Sequence, residues 1–152
     1  MTEQTREVIV MYKYVYILKH ARVVDYDEDD PIKDSKILGV YSSLIKAKNA
    51  INFFAELPGF IDYPNDYDIM KKRLYCDNAK NHENVFLIEH EKHLYDDVYE
   101  KSLLNLYNNE KDALEYIETQ KNKHDFSQES EKYEIIEYSI DKHSEYWGEG
   151  FD

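Results

Sequence analysis

Residues 38–51 read LGVYSSLIKAKNAI, and residues 104–117, which lie 66 positions later, read LNLYNNEKDALEYI. In both stretches an apolar segment ending in tyrosine is followed by two small polar residues and then by alanine and isoleucine at helical spacing. A serine or asparagine side chain in front of a helix accepts a hydrogen bond from an N–H of the first turn. Each stretch therefore predicts the end of a strand followed by a capped helix, and Leu57-Pro58-Gly59 predicts where the first helix ends.

Two further pairs of similar blocks surround these stretches in the same order. The pairs are VYILKH (15–20) with VFLIEH (85–90), and YDIMKKRL (67–74) with YEIIEYSI (133–140). Internal similarity of this kind indicates repeated structural units. We predict an α+β fold of two ββαβ repeats, residues 1–76 and residues 77–152, which are joined by a linker at residues 76–83 and packed as one compact unit.

A ββαβ unit of this size leaves one sheet face bare, so its helix must cover that face or the units must pack together. We therefore expect antiparallel sheet structure, as two three-stranded sheets or one continuous sheet, with two helices on one face. In the first unit, alternation from Val8 to Leu18 predicts the first strand, and residues 37–41 form the predicted second strand. The acidic, proline-containing segment between them, DYDEDDPIKD at residues 25–34, is expected to be an exposed loop.

The composition is that of a globular protein and excludes several classes. The chain has 152 residues, of which 42% are apolar and 14% aromatic, and its net charge is −13. Direct binding to nucleic acid is not expected, since neutralising phosphates requires positive surface. The sequence has no apolar run long enough to span a membrane and no secretory signal, so we expect a cytoplasmic protein without membrane contact. The single cysteine, Cys76, excludes an intramolecular disulfide.

Known catalytic and cofactor motifs are missing from the sequence. It has no GxSxG or HExxH motif, and four glycines leave little material for a phosphate-binding loop. Asp77 beside Cys76 disfavours a reactive thiolate. His90 and His93 would share a metal only if the chain turned between them, and the equivalence of His20 and His90 at strand ends favours a structural role. We therefore expect no enzyme activity, no metal and no cofactor.

Charge is divided very unequally between the two predicted repeats. Residues 1–76 carry 11 Lys/Arg and 12 Asp/Glu, whereas residues 77–152 carry 8 Lys/Arg and 20 Asp/Glu. An acidic surface with exposed aromatic residues suits a basic protein partner, because charge steers the encounter and rings make the desolvated contacts. A merely solvated acidic face is the plain alternative. The candidate partner-binding residues, chosen because they flank strand ends, are Asp96, Asp97, Tyr99, Glu100, Glu145, Trp147 and Glu149.

The leading hypothesis from the sequence is therefore a non-enzymatic acidic protein that inhibits a basic protein partner. Its most concrete form is a bacterial immunity protein or antitoxin that blocks the cationic active site of a nuclease-type toxin. A phage or mobile-element protein that mimics nucleic acid and occupies a host DNA-binding protein would use the same charge. A small-ligand sensor, with its site in a cleft between the repeats, is the third hypothesis.

Four short motifs resemble the signature of a known protein family. They are GVYSS (39–43), LPGF (57–60), DYP (62–64) and WGEGF (147–151). In these motifs the chain is similar to a family of short, uncharacterised bacterial proteins built as strand, GxYS, helix, LPGF, DYP, strand and a tryptophan followed by EGF. The resemblance implies that fold and a bacterial origin, and it implies no catalytic residue. Here the tryptophan tail follows the second copy, and HDFSQESEKY at residues 124–133 replaces the LPGF and DYP segment. Apart from the resemblance, Trp147 and Phe151 are predicted to pack as a tail over an edge of the core.

Overall fold

The computed structural model describes residues 11–25, 32–77, 83–123 and 130–151 of the protein. These residues form two helices, α1 (Leu44–Phe54) and α2 (Glu110–Lys123), a 3₁₀ turn at Phe60–Asp62, and seven strands. The strands are β1 (Met11–Asp25), β2 (Ile32–Tyr41), β3 (Tyr67–Cys76), β4 (Asn84–Tyr95), β5 (Val98–Tyr107), β6 (Glu131–Ser139) and β7 (Lys142–His143).

The strands of the described residues form one continuous sheet in the order β6-β4-β5-β3-β1-β2-β7. Neighbouring strands are antiparallel except β3 and β5, which run parallel and pair Leu74 with Leu106 and Tyr75 with Tyr107. The expectation of purely antiparallel sheet structure is therefore wrong at this junction. Strands β5 and β6 both run antiparallel to β4, and β5, which runs in the same direction as β3, is the one that meets it.

The sheet curls until its two edges are close. Ile17 of β1 shares a buried cluster with Leu87 of β4, although β3 and β5 separate these two strands in the sheet. At the edges, the N–H of Asp141, just after β6, donates a 2.9 Å hydrogen bond to the carbonyl oxygen of Val40 in β2. The core inside the curl is therefore built from both halves of the chain.

Helices α1 and α2 pack on the outer face of the curl. Successive residues of a strand point to opposite faces, so Leu18 packs against Phe54 of α1 whereas its neighbour Ile17 faces the inside. In the same way Ile88 of β4 packs against Ile117 of α2. Each large apolar side chain buried in this way stabilises the fold by about 1.5–3 kcal/mol.

The predicted starts of both helices are confirmed. The Ser43 hydroxyl accepts a 3.2 Å hydrogen bond from an N–H of the first turn of α1, and the Asn109 side chain accepts one of 2.9 Å in α2. Helix α1 ends at Phe54, three residues before the predicted stop. The segment that follows then turns, and Phe60 is fully buried against Phe54, with ring centroids 5.5 Å apart. This contact covers the end of the helix.

Strand β2 begins at Ile32, five residues before its predicted start, because its main chain stays paired with β1 through the charged segment, as far as Asp25. The predicted acidic loop is therefore shorter than residues 25–34. Four parts of the predictions lie outside the described residues: Val8 and Val10 of the first strand, residues 26–31 of the loop, residues 78–82 of the linker, and residues 124–129. No helix within the described ranges combines the length and the apolar character that a membrane span requires.

Candidate functional site

Strands β4 and β5 form a hairpin that is closed by a two-residue turn. Tyr95 pairs with Val98, and Asp96 and Asp97 lie between them. Asp96 has a positive φ of 44°, which aspartate adopts more readily than bulky or β-branched residues. The sequence YDDV therefore predicts this local shape, and it places two carboxylates at the end of the hairpin.

The end of this hairpin, residues 94–100, is named the acidic hairpin tip. Three large apolar side chains are exposed on it: Leu94 (46%), Tyr95 (57%) and Tyr99 (55%). The carboxylates of the tip are also exposed, and they belong to Asp96, Asp97 and Glu100. The tip therefore combines apolar surface with negative charge over a short stretch of chain.

Residues 144–151 form the C-terminal tail, which runs back over the first half of the chain. The N–H of Ser144 donates to the carbonyl oxygen of Leu38 at 2.7 Å, and the N–H of Phe151 donates to that of Pro58 at 2.8 Å. The rings of Trp147 and Phe151 pack against the core beneath α1. The structure therefore agrees with the prediction of a tail packed over the core edge.

The tail holds a lysine under its aromatic rings. Lys36 of β2 is only 4% exposed, and its ammonium lies 4.2 Å from the ring centroid of Phe151 and 5.1 Å from that of Trp147. Cation–π contacts of this kind are stronger when the cation is desolvated. The predicted tail residues Glu145 and Glu149 are exposed on the outside, so Trp147 differs from them in facing the protein.

A cleft of about 350 Å³ opens at the mouth of the curl, between the tail and the base of the β4–β5 hairpin. Trp147 is the one predicted partner-binding residue that lines it, and the other six do not. Tyr146, beside Trp147, is the most exposed of the large hydrophobic side chains of the described residues, at 85%. The charged residues that line the cleft are Lys19, Lys36, Glu89, Lys101 and Glu134.

The two glutamates of the cleft are direct neighbours on adjacent strands, since Glu89 of β4 pairs with Glu134 of β6. Burial raises the pKa of Glu89 above its usual range. The charge of Lys101 opposes this rise, that of Glu134 adds to it, and that of Lys19, from across the curl, opposes it. The cleft thus brings charges of both signs together from both halves of the chain.

Sequence reasoning missed these charged residues, although a signal for them is present. Lys19 continues the row of inward-facing residues Val15 and Ile17, and Glu89 continues the row of Val85 and Leu87. A charged residue at the next inward position of a buried strand indicates either the end of the core or a polar site inside it. The alternation alone could have identified both positions.

His20 lies fully buried among aromatic rings. Its Nε2 donates a 3.0 Å hydrogen bond to the carbonyl oxygen of Tyr63, and its ring lies 5.0 Å from that of Phe60 and 5.8 Å from that of Phe151. Nδ1 has no hydrogen-bond partner within the described ranges. Burial lowers the pKa of His20, because an imidazolium here would be desolvated.

The described residues do not bring three His, Cys, Asp or Glu side chains together in a way that could hold a metal ion. Burial raises the pKa of the Cys76 thiol, with Lys13 opposing and Asp77 adding to the rise. The cleft thus holds charges of both signs, and the acidic hairpin tip combines exposed apolar side chains with carboxylates. Comparisons of the chain with protein-family models, with curated proteins and with solved structures found no match.

Proposed function

We propose that the chain is a non-enzymatic acidic binding protein that inhibits a basic protein partner, most concretely a bacterial immunity protein or antitoxin acting on a nuclease-type toxin in the cytoplasm. The observation that supports this proposal is the acidic hairpin tip, where Leu94, Tyr95 and Tyr99 are exposed beside three carboxylates. A tyrosine that is desolvated in an interface is among the residues that contribute most to binding.

A merely soluble surface does not need this arrangement. Exposed apolar side chains that are clustered usually mark an interaction site, whereas singly scattered ones are ordinary. The tip places three of them within six residues of chain, in the acidic half of the sequence. The surrounding negative charge would steer a cationic surface to the tip and raise the association rate.

The active site of a nuclease suits such a tip, because it must attract phosphate groups and therefore carries positive charge. An aromatic side chain flanked by carboxylates can enter a cleft built for a base flanked by phosphates. Glu145 and Glu149 of the tail are exposed as well and belong to the acidic half of the sequence.

The test is binding and inhibition with purified cationic nuclease domains, including any encoded beside this chain, at low and at high salt. Asp96→Asn, Asp97→Asn and Glu100→Gln together remove three charges from the tip, and asparagine tolerates the positive φ at position 96. The matched control removes three exposed carboxylates elsewhere, by Glu56→Gln, Glu115→Gln and Glu118→Gln.

We expect salt-sensitive inhibition that the tip variant loses and the control variant keeps, and Tyr99→Ala should weaken binding at both salt concentrations. The proposal is overturned if no cationic nuclease is inhibited, or if the two triple variants behave alike. A salt-sensitive complex with a DNA-binding protein, and with no nuclease, would replace the toxin by the nucleic-acid-mimic alternative.

We also propose that the two halves of the chain are ββαβ repeats derived from one ancestral unit. The strand registers support this. His20 pairs with Tyr67 and His90 with Tyr133, and in both pairs the rings lie within 5 Å. These four residues are equivalent in the sequence repeat.

The hairpins of the two halves share an irregularity as well. The register shifts twice in each hairpin. After the first shift Lys19 pairs with Ile37 in β1–β2 and Glu89 pairs with Leu103 in β4–β5. Bulges are retained within families because they redirect side chains. A bulge at equivalent positions is therefore expected of duplicated units, and it places Lys19 and Glu89 at corresponding points of the curl.

A further inference from the structure

The cleft at the mouth of the curl contains an arrangement that folding alone does not favour. Glu89 and Glu134 are directly opposite each other on β4 and β6. Like charges in this position destabilise a sheet. Neither carboxylate forms a hydrogen bond or an ion pair with another residue of the described ranges, and Glu89 is only partly exposed. A cation placed between them would relieve the repulsion.

Lysines lie on the neighbouring walls of the same cleft. Lys101 is on β5, next to β4, and Lys19 is on β1, on the other side of the curl. Both are close enough to act on the charge of Glu89, yet neither ammonium is within ion-pair distance of a carboxylate among the described residues. An anionic group bound near these two lysines would give their ammonium groups an ion-pair partner.

Apolar side chains form much of the remaining wall, beside Ser35, Ser102 and Ser144. Ile37, Leu103, Ile136 and the indole of Trp147 line the cleft beside the charged residues. Its volume, about 350 Å³, is at the lower end of the range for small-molecule sites, where apolar walls and a few convergent polar groups are usual. The space thus suits one small molecule with an apolar part and charges of both signs.

We propose that this cleft binds a free amino acid, with its ammonium between Glu89 and Glu134, its carboxylate at Lys19 and Lys101, and its side chain against the apolar wall. A simple amine would give the two lysines no direct ion pair. A simple carboxylic acid would give none to the two glutamates. A zwitterion can pair directly with both sets of side chains, and this favours an amino acid as the ligand. This site is separate from the acidic hairpin tip, whose residues Asp96, Asp97, Tyr99 and Glu100 do not line the cleft.

Trp147 provides the readout, because it is the single tryptophan of the chain and it lines the cleft. Its fluorescence is followed while each standard L-amino acid is titrated into the full chain, and calorimetry measures the affinity of the strongest binder. The analogues of that amino acid without the carboxylate and without the ammonium serve as ligand controls. For L-leucine these are 3-methylbutylamine and 4-methylpentanoate.

We expect a saturable change in fluorescence with at least one amino acid, and binding weaker by about tenfold or more for both analogues, since each loses charge-assisted hydrogen bonds. Glu89→Gln should weaken binding to a similar extent, whereas Glu115→Gln on the outside of α2 should not. The proposal is overturned if no amino acid gives a saturable change, if one analogue binds as tightly as the zwitterion, or if Glu89→Gln binds like the wild type. None of these outcomes bears on toxin inhibition, which the tip variants test separately.

Discussion

Asp141 accepts hydrogen bonds from both the N–H and the hydroxyl of Ser42, at 2.8 and 2.7 Å. Lys46 of α1 donates a third at 3.1 Å. The carboxylate of the turn between β6 and β7 therefore holds the start of a helix almost a hundred residues earlier in the chain. Ser42, which the sequence marks as a possible helix cap, binds this carboxylate instead, and Ser43 alone caps α1.

Replacing Asp141 is expected to destabilise the protein. Asp141→Ala should lower the free energy of unfolding by about 1–2 kcal/mol, as the loss of a capping carboxylate does. Asp141→Asn keeps the shape and tolerates the positive φ of 64°, so it should cost less. Urea unfolding measures both, with the exposed Glu137→Gln as control; equal stability of Asp141→Ala and wild type would contradict the role of the carboxylate.

Acid should weaken the same contact. Burial disfavours the charge of Asp141, but the hydrogen bonds from Ser42 and Lys46 outweigh this and lower its pKa. A carboxylate whose pKa is lower in the folded state contributes stability above its unfolded pKa and loses it as the pH falls through the folded value. The stability difference between wild type and Asp141→Asn should therefore shrink on acidification below pH 4, and a constant difference would exclude this linkage.

His20 gives a second pH dependence, in a different range. Burial lowers its pKa below the ordinary 6.5, so the unfolded chain takes up a proton first as the pH falls. The free energy of unfolding should therefore begin to decrease near pH 6.5 and continue to fall until the folded state is also protonated. An NMR titration of the His20 ring should give a midpoint below 6.5, and a midpoint at or above that value would show that the ring is not desolvated.

Gly59 and Gly150 are expected to tolerate no side chain, whereas Gly148 is expected to tolerate one. A Cβ at Gly59 would lie 2.1 Å from the carbonyl oxygen of Phe151, and one at Gly150 would lie 2.3 Å from that of Pro58. Both glycines also have positive φ. Gly59→Ala and Gly150→Ala should each cost about 2 kcal/mol or more, or else detach the tail and shift the fluorescence of Trp147 to the red.

Gly148 is the matched control, because a Cβ there would meet its nearest atom at 3.7 Å. Gly148→Ala should change stability by less than about 0.5 kcal/mol. If all three alanine variants unfold at the same urea concentration as the wild type, the close approach of the tail to residues 58–59 does not exist in solution.

Glu89→Gln should stabilise the protein at neutral pH by about 0.2–1 kcal/mol, since it removes a charge that burial disfavours and that lies opposite Glu134. Because the pKa of Glu89 is raised, the folded state favours its protonated form, and the gain should vanish as the pH falls and Glu89 becomes neutral. Glu91→Gln is the control of opposite sign, as Glu91 lies 3.4 Å from the ammonium of Lys132. A loss of stability in Glu89→Gln would mean that its carboxylate is already satisfied within the protein.

The sequence pattern predicts the local structure well, since strand alternation, helix spacing and caps depend on neighbouring residues. Ser43 and Asn109 illustrate this, because each caps the helix that its own sequence predicts. The sequence does not predict the parallel pairing of β3 with β5 or the pairing of β7 with β2. Both pairings join segments that are far apart in the chain, so no local pattern indicates them. The sequence predicts that Asp96 and Asp97 lie at a strand end, and they form the turn between β4 and β5. For Trp147 it predicts both partner binding and packing over the core, and the ring packs against the core.

Because of the path of the C-terminal tail, the two halves of the chain are not expected to fold separately. Trp147 and Phe151 of the tail pack on the core cluster of the first half, and Phe151 is hydrogen-bonded to Pro58 of the LPGF segment. If the chain is divided between residues 76 and 77, the first fragment loses the contact of His20 with Phe151. The second fragment keeps the C-terminal tail but loses the core against which the tail packs. The two pieces should therefore recover a native circular-dichroism spectrum only when they are mixed.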